Sequence, residues 1–413
     1  MLLWRWLMVA VCVVAAVDGQ CDPLHADSTA SPAAPLAPPA QWQQALPGWH
    51  YTFPADHAAH RDFKTEWWYF TGQVKAPTTG RSYGFELTFF RQGVHPMMPV
   101  TSAAATSLAA EDAPPTHSRF TQPDFKFAHL AITDLDGRRF YFTQRLSRGA
   151  FGEAGFRAQP APDGAATAEE PRLAWLEDWE LREMDDGAWQ LHARSADPPM
   201  ALDLRVRLRK PLVVHGVPGS GISEKAAGEG NASHYYSFTR LETQGTLAVA
   251  NQPPAVVQGL SWFDHEWASN ALTPEQIGWD WFCVQFDDGT ELMLYAMRRR
   301  DGGIDPVSSG TLVAADGTAT HLRREDFTLA SLRSWRSPNT GANYPVEWQV
   351  KIPSQQMEFT VRAQLDAQEL VLPLITYWEG ATTVAGTRAG QPLAGLGYME
   401  LTGYRDALTK LTK

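Results

Sequence analysis

The chain has 413 residues, 44% hydrophobic and 20% charged, with 35 Lys+Arg against 46 Asp+Glu for a formal net charge of -11. That balance describes a globular protein of one large or two ordinary domains, and without a long Lys/Arg run it argues against nucleic acid or an anionic lipid surface as partner. Three cysteines exclude a disulfide scaffold and zinc-ribbon spacing, while 16 Trp imply a large aromatic surface.

Residues 1–20 read as a signal peptide. Arg5 supplies the positive n-region, residues 7–17 (LMVAVCVVAAV) an apolar run too short to span a bilayer, and Val17 and Gly19 the small residues around a cleavage point. An Ala/Pro/Ser-rich tether follows over residues 21–45. The expectation is export, to the periplasm or to its membrane face. Attachment there would run through the leader or a lipidated Cys21, although Asp18 and Gln20 make a poor lipobox. No later segment approaches ~18 uninterrupted apolar residues.

The body reads as strands. Residues 81–91, 125–133, 138–144, 201–208, 291–298, 346–352 and 358–365 alternate apolar with polar and end at turn residues. Asp136-Gly137, Asp186-Gly187, Asp288-Gly289, Asp301-Gly302 and Asp316-Gly317 punctuate them as hairpin turns. One short helix is expected over residues 324–334. An internal echo links Trp67-Trp68-Tyr69-Phe70 and FELTFFR (85–91) with Trp279-Asp280-Trp281-Phe282 and ELMLYAMR (291–298). Two copies of one hairpin imply two related β domains, an N-terminal one over 46–248 and a C-terminal one over 249–413, divided near 245–255.

Two clusters carry ionisable groups among aromatics. In the first, Asp56, His57 and His60 precede Thr65-Glu66-Trp67-Trp68-Tyr69-Phe70. The His spacing suits a metal, but solvated or capping groups are the commoner use, and no metal is expected. On an extended strand Glu66 shares a face with Trp68 and Phe70, so it is either paired with an Arg or pushed toward protonation. The second cluster is Ser261-Trp262-Phe263-Asp264-His265-Glu266-Trp267, with Trp279-Asp280-Trp281-Phe282 after it. Three ionisable groups in seven residues are costly to bury unpaired, which favours an acid/base site over a plain core strand. A G-x-S-x-G elbow, an H-E-x-x-H helix, a dinucleotide fingerprint and a Walker loop are all absent, and no cofactor is expected.

The motifs FPADHAAHRDFKTEWWYFTG, YGFELTFFR, SWFDHEW, GWDWFCVQFDDGTELMLYAMR and GYMELTGY stand in order from about Gly48 to Tyr404. Together they resemble the AttH-like family, which includes the carotenoid 1,2-hydratases. The resemblance implies an all-β fold of two lipocalin-like barrel or sandwich domains side by side. It does not fix the reaction, since one fold hosts several. The expected activity is a cofactor-independent hydratase acting on an apolar isoprenoid-like or lipid substrate; the alternative is a carrier that holds such a ligand without chemistry. Hydration would need an acid kept protonated by burial, aromatic faces for the cation and a base for water. Asp264, His265, Asp280 and Glu66 are the expected catalytic residues, meeting in one pocket, with Trp68, Trp262, Trp267, Trp279 and Trp281 binding substrate.

Overall fold

The computed structural model describes residues 41–96, 122–159, 170–250, 252–270, 272–373 and 375–408. The leader, and the tether up to residue 40, lie outside them. Thirteen strands come first: β1 (Thr65–Lys75), β2 (Ser82–Gly93), β3 (Asp124–Asp134), β4 (Arg139–Ser147), β5 (Ala154–Phe156), β6 (Arg172–Leu176), β7 (Trp179–Glu183), β8 (Trp189–Ala196), β9 (Pro199–Leu208), β10 (Val213–Val214), β11 (Ser223–Glu224), β12 (Ala232–Val249) and β13 (Ala255–Ala268). Ten more follow: β14 (Gln276–Phe286), β15 (Glu291–Arg299), β16 (Gly310–Val313), β17 (Ala319–Leu322), β18 (Thr328–Arg336), β19 (Asn343–Ile352), β20 (Met357–Ala363), β21 (Glu369–Val371), β22 (Thr376–Arg388) and β23 (Gln391–Thr402). Helical structure among the described residues is confined to three-residue 3-10 turns. The helix expected over 324–334 is one such turn, Arg324–Asp326, followed by β18, because Leu329, Ser331 and Trp335 take up strand pairing with β19.

The strands form two curled antiparallel sheets side by side. The first runs β4-β3-β2-β1-β13-β12-β9-β8-β7-β6-β5, with β10 and β11 on β12; the second runs β17-β16-β15-β14-β23-β22-β20-β19-β18, with β21 on β22. In each, the opening hairpin (β1/β2 or β14/β15) pairs its first strand with the sheet's closing strand (β13 or β23), so the echo in the sequence is a repeat in the topology. The change of sheet falls between Ala268 and Gln276, later than the 245–255 stretch expected. The reason is pairing: β13 joins β1 to β12 and belongs to the first sheet.

Alternation sorts the side chains. Trp68, Phe70, Phe85, Leu87, Leu130, Leu204, Phe263 and Trp267 fill the concave interior of the first sheet. Phe282, Leu294, Tyr344, Phe359, Trp378 and Leu401 fill that of the second. Each fully buried Leu or Phe contributes ~1.5–3 kcal/mol. The opposite faces of β1, β13, β14 and β23 meet in a third layer between the sheets, with Tyr69, Tyr235, Trp262, Trp281, Cys283, Tyr295 and Tyr398.

This intersheet layer has twofold character. Gln73 on β1 donates from Nε2 to the carbonyls of Thr382 (2.9 Å) and Gly397 (2.8 Å) on β22 and β23. Gln285 on β14 returns the contact to Thr239 (2.8 Å) and Ser261 (2.9 Å) on β12 and β13. Gly84 lets the sheets approach: a Cβ there would lie 2.7 Å from that of Ala381.

Candidate functional site: two acid networks on opposite faces of one strand

The sequence cluster 261–267 forms the end of β13, and its alternation sends its charged groups to different compartments. His265 turns into the interior of the first sheet with Phe263 and Trp267, whereas Asp264 turns into the intersheet layer with Trp262.

Inside the first sheet, Glu66 accepts from the His60 backbone N–H (2.9 Å to Oε2) and from Arg91 Nε (3.0 Å). His60 Nδ1 (2.7 Å) and His265 Nε2 (3.0 Å) both meet Glu66 Oε1. Asp56 Oδ1 sits 3.2 Å from His60 Nε2, and Tyr236 OH bridges His265 Nδ1 (3.1 Å) and His57 Nδ1 (2.6 Å). Trp267 stacks on His60 at 3.6 Å and Trp68 on His265 at 4.5 Å. Burial works to raise the Glu66 pKa, but His60, His265 and Arg91 outweigh it and hold the carboxyl below its ordinary range. Burial likewise works against a charged His60, yet Glu66 and Asp56 raise its pKa. His60, Glu66 and His265 each offer a ligand atom within 4.8 Å of the others, a set that could hold a metal. Here the same atoms already satisfy one another, and Glu66 receives four donors. The arrangement is a saturated, ionised network, and of the two options open for Glu66 the structure shows pairing with arginine.

The intersheet face is chemically different. Asp264 Oδ1 accepts from Trp262 Nε1 (2.6 Å) and from Ser237 Oγ, and Oδ2 accepts from Tyr235 OH (2.8 Å), which in turn accepts from Trp281 Nε1 (3.1 Å). Ser237 Oγ also contacts His215 Nε2 (2.6 Å), whose Nδ1 meets Thr311 Oγ1 (2.8 Å) on the second sheet. Burial pushes Asp264 up to about 7 despite its three donors. Burial also holds His215 well below the ordinary imidazole range. Near neutral pH Asp264 can therefore gain or lose its proton, while His215 stays neutral and is joined to it through one hydroxyl. A cleft of about 300 Å³ opens between the sheets, lined by Thr71, Trp262, Cys283, Gln285 and Tyr398 among others, and Trp262, which donates to Asp264, joins it to this network.

Strand register identifies a counterpart. Asp264 lies opposite Tyr69 on β1 and Ser237 on β12. Glu400 lies opposite Trp281 on β14 and Glu379 on β22. Glu400 is pushed up to about 8 by burial, and Glu379 well above its ordinary value.

Asp280 belongs to neither place. It turns into the second sheet's interior, where Arg298 Nε (3.1 Å) and Tyr404 OH (2.8 Å) donate to Oδ1, and burial raises it to about 6. The single pocket expected for Asp264, His265, Asp280 and Glu66 is therefore not formed: Glu66 and His265 share one network, and Asp264 and Asp280 each stand in another. No bulge re-aims Asp264 or His265, whose pairing with β1 and β12 is regular there. Of the expected substrate-binding Trp, 262, 279 and 281 belong to the intersheet layer, while Trp68 and Trp267 pack in the first interior. Sequence reasoning missed His215, Ser237, Tyr235, Glu379 and Glu400. Glu400 alone had a signal, lying in the quoted GYMELTGY.

The chain as a whole is similar to known proteins. The AttH-like family model matches residues 44–404. An AttH-type protein of Nitrosomonas europaea of known crystal structure is 31% identical, with 88% of this chain and 99% of that one covered and a TM-score of 0.71. Kievitone hydratase of Nectria haematococca shares the fold at 14% identity, TM-score 0.60, covering 89% of this chain and 98% of that one. A dehydratase of Emericella nidulans is 24% identical over 229 residues, 52% of this chain, and the match spans only 62% of that enzyme. With the family model covering nearly the whole described body, the chain belongs to the AttH-like family.

Proposed function

We propose that this protein is a hydro-lyase, adding water to or removing it from an apolar isoprenoid-like or lipid substrate between its two sheets, by acid/base chemistry that needs no cofactor. The observation that carries the reading is the Asp264–Ser237–His215 network: a buried acid raised to about 7, in hydrogen-bond contact with a buried imidazole and tied through Trp262 to the cleft between the sheets. In hydration, Asp264 gives its proton to an alkene carbon. The resulting cation faces Trp262 and Trp281, whose π faces each stabilise a desolvated cation by ~0.5–2 kcal/mol. Water forms the new C–O bond, and its proton returns to Asp264 through His215 and the Ser237 hydroxyl. Dehydration runs the same steps backward. Hydratase and dehydratase relatives support this chemistry. The leader at residues 1–20 supports an exported protein working in the periplasm or at its membrane face.

The test is incubation of the purified protein with an acyclic isoprenoid alkene in ¹⁸O-labelled water. One ¹⁸O per product is expected from the wild type, with a loss of ~10²–10⁴-fold in Asp264→Asn. Binding of the alkene without product, in wild type and variant alike, would instead mark a carrier.

A further inference from the structure

Glu400, the counterpart of Asp264 on the second sheet, has Glu379 as its neighbour on β22, and that neighbour is unsatisfied. Glu379 Oε2 accepts from Tyr69 OH (2.9 Å), but its Oε1 is buried without a hydrogen-bond partner among the described residues. Next to it, Glu86 Oε1 accepts from Thr88 Oγ1 (2.7 Å) and Tyr377 OH (3.3 Å), while Oε2 has no partner. His129 Nδ1 meets the same Tyr377 hydroxyl at 2.6 Å, leaving Nε2 unpartnered. Glu86 and Glu379 are fully buried, His129 is 1% exposed, and all three turn from their strands into the intersheet layer. Unmade hydrogen bonds on buried groups cost ~1–3 kcal/mol each, so three at one place call for a polar occupant.

The surroundings indicate its chemistry. The charged groups that act most strongly on Glu379 and Glu400 are themselves acidic, Glu86 and Asp264 among them, and neither forms an ion pair with an Arg or Lys among the described residues. Burial raises Glu86 to about 7 and Glu379 well above its ordinary value and lowers His129 to about 3, so near neutral pH Glu379 carries its proton, Glu86 carries it about half the time and the imidazole is neutral. Such a set both donates and accepts hydrogen bonds, which matches a neutral oxygen function better than an ammonium or a carboxylate. Tyr69 links the two centres: it lies opposite Asp264 in the register, and its hydroxyl reaches Glu379.

We infer that Glu86, Glu379 and His129 form a subsite for a hydroxyl or carbonyl group of the substrate, which is therefore an oxygenated apolar chain and not a hydrocarbon. The inference rests on the intersheet site proposed above and assigns the end of the substrate remote from Asp264.

Binding separates this from the reaction. Titration of the full chain, followed by Trp fluorescence, would compare geraniol with myrcene, an alcohol and a hydrocarbon of equal carbon number. Geraniol should bind at least tenfold tighter to the wild type. Glu379→Leu and Glu86→Leu should erase that preference while leaving myrcene affinity within twofold, and Glu379→Gln, which keeps a donor and an acceptor, should retain most of it. Equal affinities in the wild type, binding of neither probe, or a preference that survives both Leu variants would overturn the subsite. A preference for geraniol in a protein that turns nothing over would sink the hydro-lyase reading and leave the subsite standing.

Discussion

Replacing Glu66 by Gln tests whether the interior of the first sheet is held by a saturated ionic network. The carboxylate is fully buried and receives the His60 N–H, His60 Nδ1, His265 Nε2 and Arg91 Nε. The amide would leave Arg91, itself 1% exposed, without its counter-charge and would turn two N–H groups toward existing donors. Removing one partner of a buried ion pair costs ~3–5 kcal/mol. With an unfolding entropy of ~2.1 cal/mol/K per residue over the folded unit Ala40–Lys413, that corresponds to a Tm lower by ~4–6 °C. The pH dependence follows from the signs. Glu66 is lowered on folding, so its contribution is present above the unfolded carboxyl value of ~4.3 and is lost as pH falls through the folded one. His60 is raised, so its contribution is full below ~6.5 and is lost as pH rises through its folded pKa. Thermal melts from pH 3 to 9 should show both limbs in the wild type and a flatter profile in the variant. A Tm within 1 °C of wild type across that range would refute the network's role.

Asp264→Asn should be more stable than the wild type at pH 8, by ~1–3 kcal/mol. A carboxyl raised to about 7 on folding loses stability progressively from its unfolded value of ~3.9 up to 7, a loss the amide avoids; urea denaturation at pH 5 and 8 reads it, and a variant less stable at pH 8 contradicts it. Gln73→Ala removes three hydrogen bonds between the sheets, two donated to carbonyls and one accepted from Gln364 Nε2 (2.6 Å), a cost of ~1–3 kcal/mol, and Gln285→Ala, which removes two, should cost somewhat less; a larger loss in Gln285→Ala by chemical denaturation would argue against the twofold lock. Gly84→Leu places its Cβ 2.7 Å from that of Ala381, so it should widen the intersheet layer and lower Tm, with small-angle scattering or a crystal structure as the check.

The strands and their turns were legible because period-2 alternation and Asp-Gly punctuation are local. At Asp288-Gly289, for example, Gly289 adopts φ +82 in the turn between β14 and β15. The repeat was legible too, in the aromatic hairpins. What failed was the step from neighbours in sequence to neighbours in space. Asp264 and His265 are adjacent, yet a sheet separates them, and the alternation that places them on opposite faces was itself readable. The partners that define the Asp264 centre could not be read. His215 comes from a loop 49 residues earlier and Ser237 from β12, and only the β12–β13 register sets Ser237 opposite Asp264. The boundary was misplaced for a similar reason, since nothing local says that β13 closes onto β1. Glu66 had its outcome written as a choice between pairing and protonation, and Arg91, in the quoted FELTFFR, decided it.

The central claim is that Asp264 is the proton donor in the intersheet layer, and the pH profile of turnover tests it most directly. For whichever isoprenoid substrate the ¹⁸O experiment identifies, kcat/KM for hydration should be level at low pH and fall tenfold per unit above about 7, as Asp264 loses its proton. Asp264→Asn should abolish the profile, while Glu66→Gln at a temperature where it stays folded should keep its midpoint. An unchanged profile in Asp264→Asn, or one whose midpoint moves with Glu66, would contradict the account.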